Sequence, residues 1–253
     1  MRSNKTKAKL KNGESVFGCF VRYPNATMVE VLGYFGWDFI VFDGEHGPIE
    51  PADCEHMVRA AELRDVTPII RVPVNSRPVI LRFLDTGAQG LHVPMVQSKA
   101  DAQAVVQAVK YQPIGVRGLA GVRAADYGQA ISFAQYVAEA NAETLVSIHI
   151  ETKEAVENLP EILTVDEIDV IFVGPNDLSQ SLGVPGDIQN PIVQATIERV
   201  AEQVSASSRA LGIMVGNVEA AQRWRQRGAR YISIMSDNLL GPACRSYLAA
   251  VRK

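Results

Sequence analysis

The feature that most constrains this chain is a rhythm. Short, nearly unbroken apolar runs rich in β-branched residues alternate along its 253 residues with longer stretches of helical spacing. A run such as Ile168-Asp-Val-Ile-Phe-Val173 lacks the in-and-out alternation of a half-exposed sheet. Parallel strands covered on both faces read this way. Strands are expected at Ser15–Val21, Trp37–Asp43, Thr67–Val74, Gly90–Val96, Thr144–Glu151, Ile168–Gly174, Gly212–Gly216 and Tyr231–Ser236. Helical patterns fall at Ala52–Arg64, Lys99–Tyr111, Lys153–Ile162, Pro191–Leu211 and Val218–Gln226. Ser98 before Lys99-Ala-Asp101, and Asn190 before Pro191, supply helix N-cap chemistry.

About eight strands alternating with helices make the count of a closed (β/α)8 TIM barrel, and one such barrel accounts for residues 1–253 as a single domain. The alternative is an open doubly wound sheet. It is disfavoured because no Gly-x-Gly-x-x-Gly turn follows the first strand. Residues 1–14 read as a polar, Lys-rich extension. The segment Pro113–Ala142 is too long for a plain loop and is expected to be an excursion above the barrel, with a helix around Ala130–Glu139. The tail Leu239–Lys253 is amphipathic and suits packing on a neighbouring subunit.

Charge and cysteine usage narrow the function classes. The formal net charge of −3 leaves no basic excess for nucleic acid or an anionic membrane. Cys19, Cys54 and Cys244 form neither a disulfide framework nor a zinc motif. No apolar run has the length of a signal segment or a membrane span, so a cytoplasmic protein is expected.

In a barrel of this kind the chemistry sits where the strands end. The second strand runs into Asp43-Gly-Glu-His46, so Asp43 and His46 can pair if the chain turns at Gly44. An aspartate that fixes an imidazole tautomer makes a general base; the structural alternative is a capped turn. Arg71 lies in the third strand, where a guanidinium needs a carboxylate partner or an anionic ligand. In the fifth strand His149 and Glu151 share a face, and Asp177 follows the sixth. Two convergent carboxylates fit an acid/base pair or a seat for a hard divalent cation. Asp177 could also serve only as a helix cap. Lys153 is the nearest candidate for a Schiff base, although its place at a helix start argues against one.

Phe42-Asp-Gly-Glu-His-Gly47, Arg71-Val-Pro73, Ile150-Glu-Thr-Lys-Glu-Ala155 and Phe172-Val-Gly-Pro-Asn-Asp-Leu178 together resemble the class II pyruvate aldolases of the HpcH/HpaI family. That family includes the 4-hydroxy-2-oxoheptanedioate and 2-dehydro-3-deoxyglucarate aldolases, and the similarity runs from about Gly18 to Leu240. The resemblance implies an aldehyde-lyase that interconverts 4-hydroxy-2-oxo acids with pyruvate and an aldehyde through a metal-stabilised enolate. It also implies a homohexamer, a dimer of trimers, with exchanged C-terminal helices. By motif, Glu151 and Asp177 would be ligands of Mg2+ or Mn2+, with Co2+ as a substitute. Arg71 would stabilise the enolate, and His46 with Asp43 would be the base. Gly174, Pro175 and Asn176 would line the pyruvate carboxylate site, while Asp85, Arg117 and Arg123 would lie towards the aldehyde, partly across a subunit boundary. Three positions depart from the family pattern: His149 stands where well-known members carry Gln, Asn176 where a small residue is usual, and Phe20 where Trp aligns. His149 is therefore a substrate-side candidate that offers a third metal contact or a hydrogen bond to water. Rival readings are an acyl-CoA lyase of the citryl- or malyl-CoA type and a non-catalytic barrel that binds 2-oxo acids.

Overall fold

The structure, a computed structural model, describes residues 2–252. Eight parallel strands close into a barrel in sequence order, which excludes the open sheet. They are β1 (Val16–Val21), β2 (Phe39–Asp43), β3 (Thr67–Arg71), β4 (Gly90–Val93), β5 (Leu145–Ile150), β6 (Val170–Val173), β7 (Ala210–Val215) and β8 (Tyr231–Met235). β8 pairs back onto β1, with Val16 beside Tyr231. Around them run α1 (Lys5–Lys11), α2 (Ala26–Gly33), α3 (Pro51–Leu63), α4 (Arg77–Asp85), α5 (Lys99–Val109), α6 (Phe133–Glu143), α7 (Lys153–Glu157), α8 (Leu159–Ile162), α9 (Pro175–Ser181), α10 (Pro191–Ser205), α11 (Val218–Gln226) and α12 (Ser236–Val251).

Alternation along each strand divides the core into two shells. Outward residues such as Ile40, Phe42, Ile148, Ile150 and Ile171 pack beneath the helices. Inward residues such as Phe20, Phe39, Ile69, Phe172 and Tyr231 fill the barrel. Each fully buried side chain of this size contributes about 1.5–3 kcal/mol, which makes the barrel a rigid frame for its rim.

Several boundaries differ from expectation. β3 stops at Arg71, so this arginine sits at the barrel mouth and not in mid-strand. The expected helix Lys153–Ile162 breaks at Asn158, because Pro160 is accommodated in the first turn of a new helix. α10 ends at Ser205, where Ser207 turns its hydroxyl onto the backbone of Val204 and accepts from Arg209 N. Ser98 and Asn190 cap their helices as expected.

The polar start of the chain is more than an extension. α1 closes the lower end of the barrel through its polar side chains. Asn4 donates to the carbonyls of Gln89 and Glu143, and Lys7 Nζ donates to Thr144 O at 2.9 Å and pairs with Asp169. The segment after α5 does not rise above the mouth either. Arg117 pairs with Asp85 at the end of α4, and Arg123 bonds Glu62 and Thr86 O, holding the segment against the lower, outer wall.

α12 is the outlier in packing. Ser236 is its buried residue, while Leu239, Leu240, Tyr247, Leu248 and Val251 are exposed. Among the described residues no helix is long and apolar enough to cross a membrane.

Candidate active site

The register of β2 on β3 sets Asp43 beside Arg71 at the rim. The guanidinium grips the carboxylate with both arms, Nε to Oδ1 at 2.8 Å and Nη2 to Oδ2 at 2.5 Å. Its remaining arm pairs with Glu45 at 3.1 Å. Asp43 Oδ1 also accepts from the backbone N–H groups of Glu45 and His46. Burial works against ionising Asp43, but Arg71 and these N–H groups outweigh it and hold its pKa below the usual value.

The expected Asp43–His46 base dyad is not formed. Asp43 is fully engaged by Arg71 and the backbone, and among the described residues no hydrogen bond joins it to the His46 ring, which is exposed. Glu45, which the sequence reading did not assign, is the titratable group beside Arg71 instead. Burial raises its pKa to about 7 against the pull of Arg71, with Glu151 adding to the rise. Its position between Asp43 and His46 was the available signal, but its contact with Arg71 depends on the fold of the loop.

Across the mouth, Glu151 follows the last residue of β5 and is buried. Its Oε1 accepts from Met95 N at 2.8 Å and its Oε2 faces His149 Nδ1 at 3.0 Å. Burial opposes its ionisation, yet His149, the Met95 N–H and Arg71 together leave its pKa lowered. Gly174 caps α9, with Pro175 and the exposed Asn176 next and Asp177 in the first turn. A Cβ placed on Gly174 would lie 2.7 Å from Glu151 Oε2 and 3.8 Å from Asp177 Oδ2. The two carboxylates therefore converge on one small cradle that only a glycine leaves open.

This donor set fits a hard divalent cation. It is all oxygen, and each Glu151 oxygen retains a lone pair beyond its one hydrogen bond. Among the described residues no group of three or more His, Cys, Asp or Glu side chains is arranged around one metal position. Water and substrate would thus have to complete the coordination. His149 is not a third metal contact: Nδ1 meets Glu151, and Nε2 meets His92 Nδ1 at 2.9 Å.

Within one chain, Asp85 and Arg123 do not approach this cradle. Asp85 ends α4, which carries the chain back to the lower barrel end, and Arg123 is bound there to Thr86 and Glu62. Lys153 is exposed and pairs loosely with Glu157, unlike the desolvated amine of a Schiff base.

Residues 16–240 match the profile of a family described as HpcH/HpaI aldolase/citrate lyase. The chain is 38% identical over 236 residues to the hydroxypyruvate/pyruvate aldolase of Roseobacter denitrificans, covering 92% of this chain and 91% of that one. It is 38% identical over 240 residues to a 2-keto-3-deoxy-L-rhamnonate aldolase of Klebsiella pneumoniae, covering 94% and 89%. A crystal structure of an HpcH/HpaI aldolase/citrate lyase family protein from Burkholderia cenocepacia superposes with a TM-score of 0.94 at 32% identity, over 99% of this chain and 100% of that one. The chain belongs to the HpcH/HpaI aldolase/citrate lyase family and is a carbon–carbon lyase.

Proposed function

We propose that the protein interconverts 4-hydroxy-2-oxo acids with pyruvate and an aldehyde, as a cation-dependent class II pyruvate aldolase. The observation that carries this reading is the convergence of Glu151 and Asp177 on Gly174, beside a guanidinium oriented by Asp43. The names of the pyruvate and 2-keto-3-deoxy acid aldolases it resembles support the substrate class.

Glu151 and Asp177 would hold Mg2+ or Mn2+, with Co2+ able to substitute. When bound, the cation supplies Lewis-acid charge where an enolate develops. Gly174, Pro175 and Asn176 border the place where the pyruvate carboxylate docks. His46 takes the C4 hydroxyl proton at the mouth, with Glu45 next to it able to hold a proton near neutrality. The C3–C4 bond then breaks, and its electron pair passes to the pyruvate half as an enolate while the aldehyde leaves. Arg71 donates to the enolate oxygen, and Asp43 keeps its fork in position. Reprotonation at C3 releases pyruvate. His149 takes part through Glu151, not through the substrate.

The assembly completes the picture. α12, exposed along an apolar face, packs on a neighbouring copy in a cytoplasmic homohexamer, a dimer of trimers. A neighbour would then bring Asp85 and Arg123 to the aldehyde end. The test is pyruvate release from 4-hydroxy-2-oxo acids by chelator-stripped enzyme, before and after Mg2+ or Mn2+ is returned. Activity is expected to vanish and recover; undiminished turnover after stripping would refute the reading.

A further inference from the structure

Below Glu151 a file of polar side chains descends through a barrel interior otherwise lined by residues such as Phe20, Ile69 and Phe172. His149 on β5, His92 on β4 and Tyr231 on β8 are each at most 1% exposed. Tyr231 Oη lies 2.8 Å from His92 Nε2, His92 Nδ1 lies 2.9 Å from His149 Nε2, and His149 Nδ1 lies 3.0 Å from Glu151 Oε2. The rings are wedged edge-on, with His92 at 79° to Phe172 and 82° to Phe20.

A buried polar atom without a partner costs about 1–3 kcal/mol, so the direction of each bond follows from who can donate. Ionised Glu151 only accepts, which places a proton on His149 Nδ1. Among the described residues, His92 Nε2 is the one hydrogen-bond partner of the Tyr231 hydroxyl. If the hydroxyl accepted there, its own proton would be buried with no acceptor; it therefore donates. His92 Nε2 is then bare, its Nδ1–H donates to His149 Nε2, and that nitrogen is bare in turn. Every donor and acceptor is matched in one sense, from Tyr231 to Glu151. Both imidazoles are neutral and protonated on Nδ1, the minor tautomer of free histidine. Burial in the barrel interior holds the His92 pKa well below the usual value, in keeping with a neutral ring.

We propose that Tyr231, His92 and His149 are positioning residues: a one-way hydrogen-bond chain that holds Glu151 in the orientation needed to ligate the cation. The Met95 N–H holds Oε1 while the chain holds Oε2, so the carboxylate cannot rotate without losing a bond. Its remaining lone pairs stay available at the Gly174 cradle. The inference rests on the reading of Glu151 as a cation ligand.

Two measurements on the full chain test it. Neutron diffraction from deuterium-exchanged crystals reads the chain itself, and Mn2+ titration followed by the EPR signal of free Mn2+ reads its effect. Deuterons are expected on Nδ1 of His92 and of His149. His149→Leu, with folding verified by circular dichroism, should bind Mn2+ about 10–100-fold more weakly. His149→Gln, whose amide can both accept from His92 and donate to Glu151, should restore most of that affinity. Tyr231→Phe should give an intermediate loss, since His92 is then free to change tautomer. A deuteron on His149 Nε2 overturns the direction of the chain. Parental Mn2+ affinity in folded His149→Leu overturns the positioning role. A parent whose Mn2+ binding is absent or unaffected by Glu151→Gln overturns the ligand reading instead, and the neutron result does not depend on that reading.

Discussion

Gly174→Ala tests the carboxylate cradle with a single methyl group. Gly174 has φ −96°, a conformation that alanine adopts freely, so the substitution acts through space and not through backbone strain. The new Cβ would stand 2.7 Å from Glu151 Oε2. Ordinary C···O contacts begin near about 3.3 Å, so the oxygen must retreat by about 0.6 Å. Oε2 is tied to His149 and Oε1 to Met95 N, so the retreat loosens a hydrogen bond to a charged group worth about 1.5–3 kcal/mol. A stability loss of about 1–3 kcal/mol is expected in urea titrations, small enough to leave the protein folded. Cation binding should suffer more, because the methyl fills the space between the ligands as well as displacing one of them. A loss of at least about 100-fold in Mn2+ affinity corresponds to about 2.8 kcal/mol at 1.4 kcal/mol per tenfold. Pyruvate release should fall in parallel. Gly216→Ala, at the end of β7 and with nothing within 4 Å of its added Cβ, is the control and should bind as the parent does. A folded Gly174→Ala protein with parental affinity would show that the cation does not sit between Glu151 and Asp177.

Two further outcomes follow from buried charges. Arg71→Leu strips the partner from Asp43, which is 0% exposed, and should destabilise the fold by about 3–5 kcal/mol in chemical denaturation; Arg71→Lys should recover part of the stability but little activity, because a single ammonium cannot reproduce the two-armed grip. Lys110 is wholly buried, and desolvation lowers its pKa from 10.5 to about 8. The unfolded chain therefore binds the extra proton between these values. The penalty from Lys110 is complete below pH 8 and is relieved as pH rises towards 10.5, by up to about 3 kcal/mol. Lys110→Met should flatten that part of the stability–pH curve; a curve unchanged in shape would refute the assignment.

The barrel could be read from the chain because parallel strands covered on both faces leave a local mark, the unbroken apolar run. Arg71, Glu151 and Asp177 were legible for a related reason: a charge within such a run or at its edge is expensive unless it has work or a partner. The Arg71 grip on Asp43 was weighed only as an ion pair without a named partner, since the identity of that partner depends on the register of β2 on β3. The Asp43–His46 pairing was a local inference that lost to this cross-strand bond. The file from Tyr231 to Glu151 was out of reach for the same reason, because it joins β4, β5 and β8, which become neighbours of one axis only when the barrel closes. α1 escaped notice because its docking is polar: Asn4, Thr6 and Lys7 are buried by hydrogen bonds, and no hydrophobic period announces them.

The same helix carries a consequence for the order of assembly. α1 is synthesised before any strand, yet its anchors lie far along the chain: Asn4 on Glu143, Lys7 on Asp169, and the carbonyl of Leu10 on Arg230, 220 residues away. Its seat, which also takes in Asp38, Thr67 and Gln89, is complete only when β8 has joined β1. Docking of α1 thus belongs to the late, long-range phase of folding, after the entropy of closing the whole circuit has been overcome. A fluorescent probe on its exposed face should report closure of the barrel as the final event, well after the helical signal of the surrounding layer has developed.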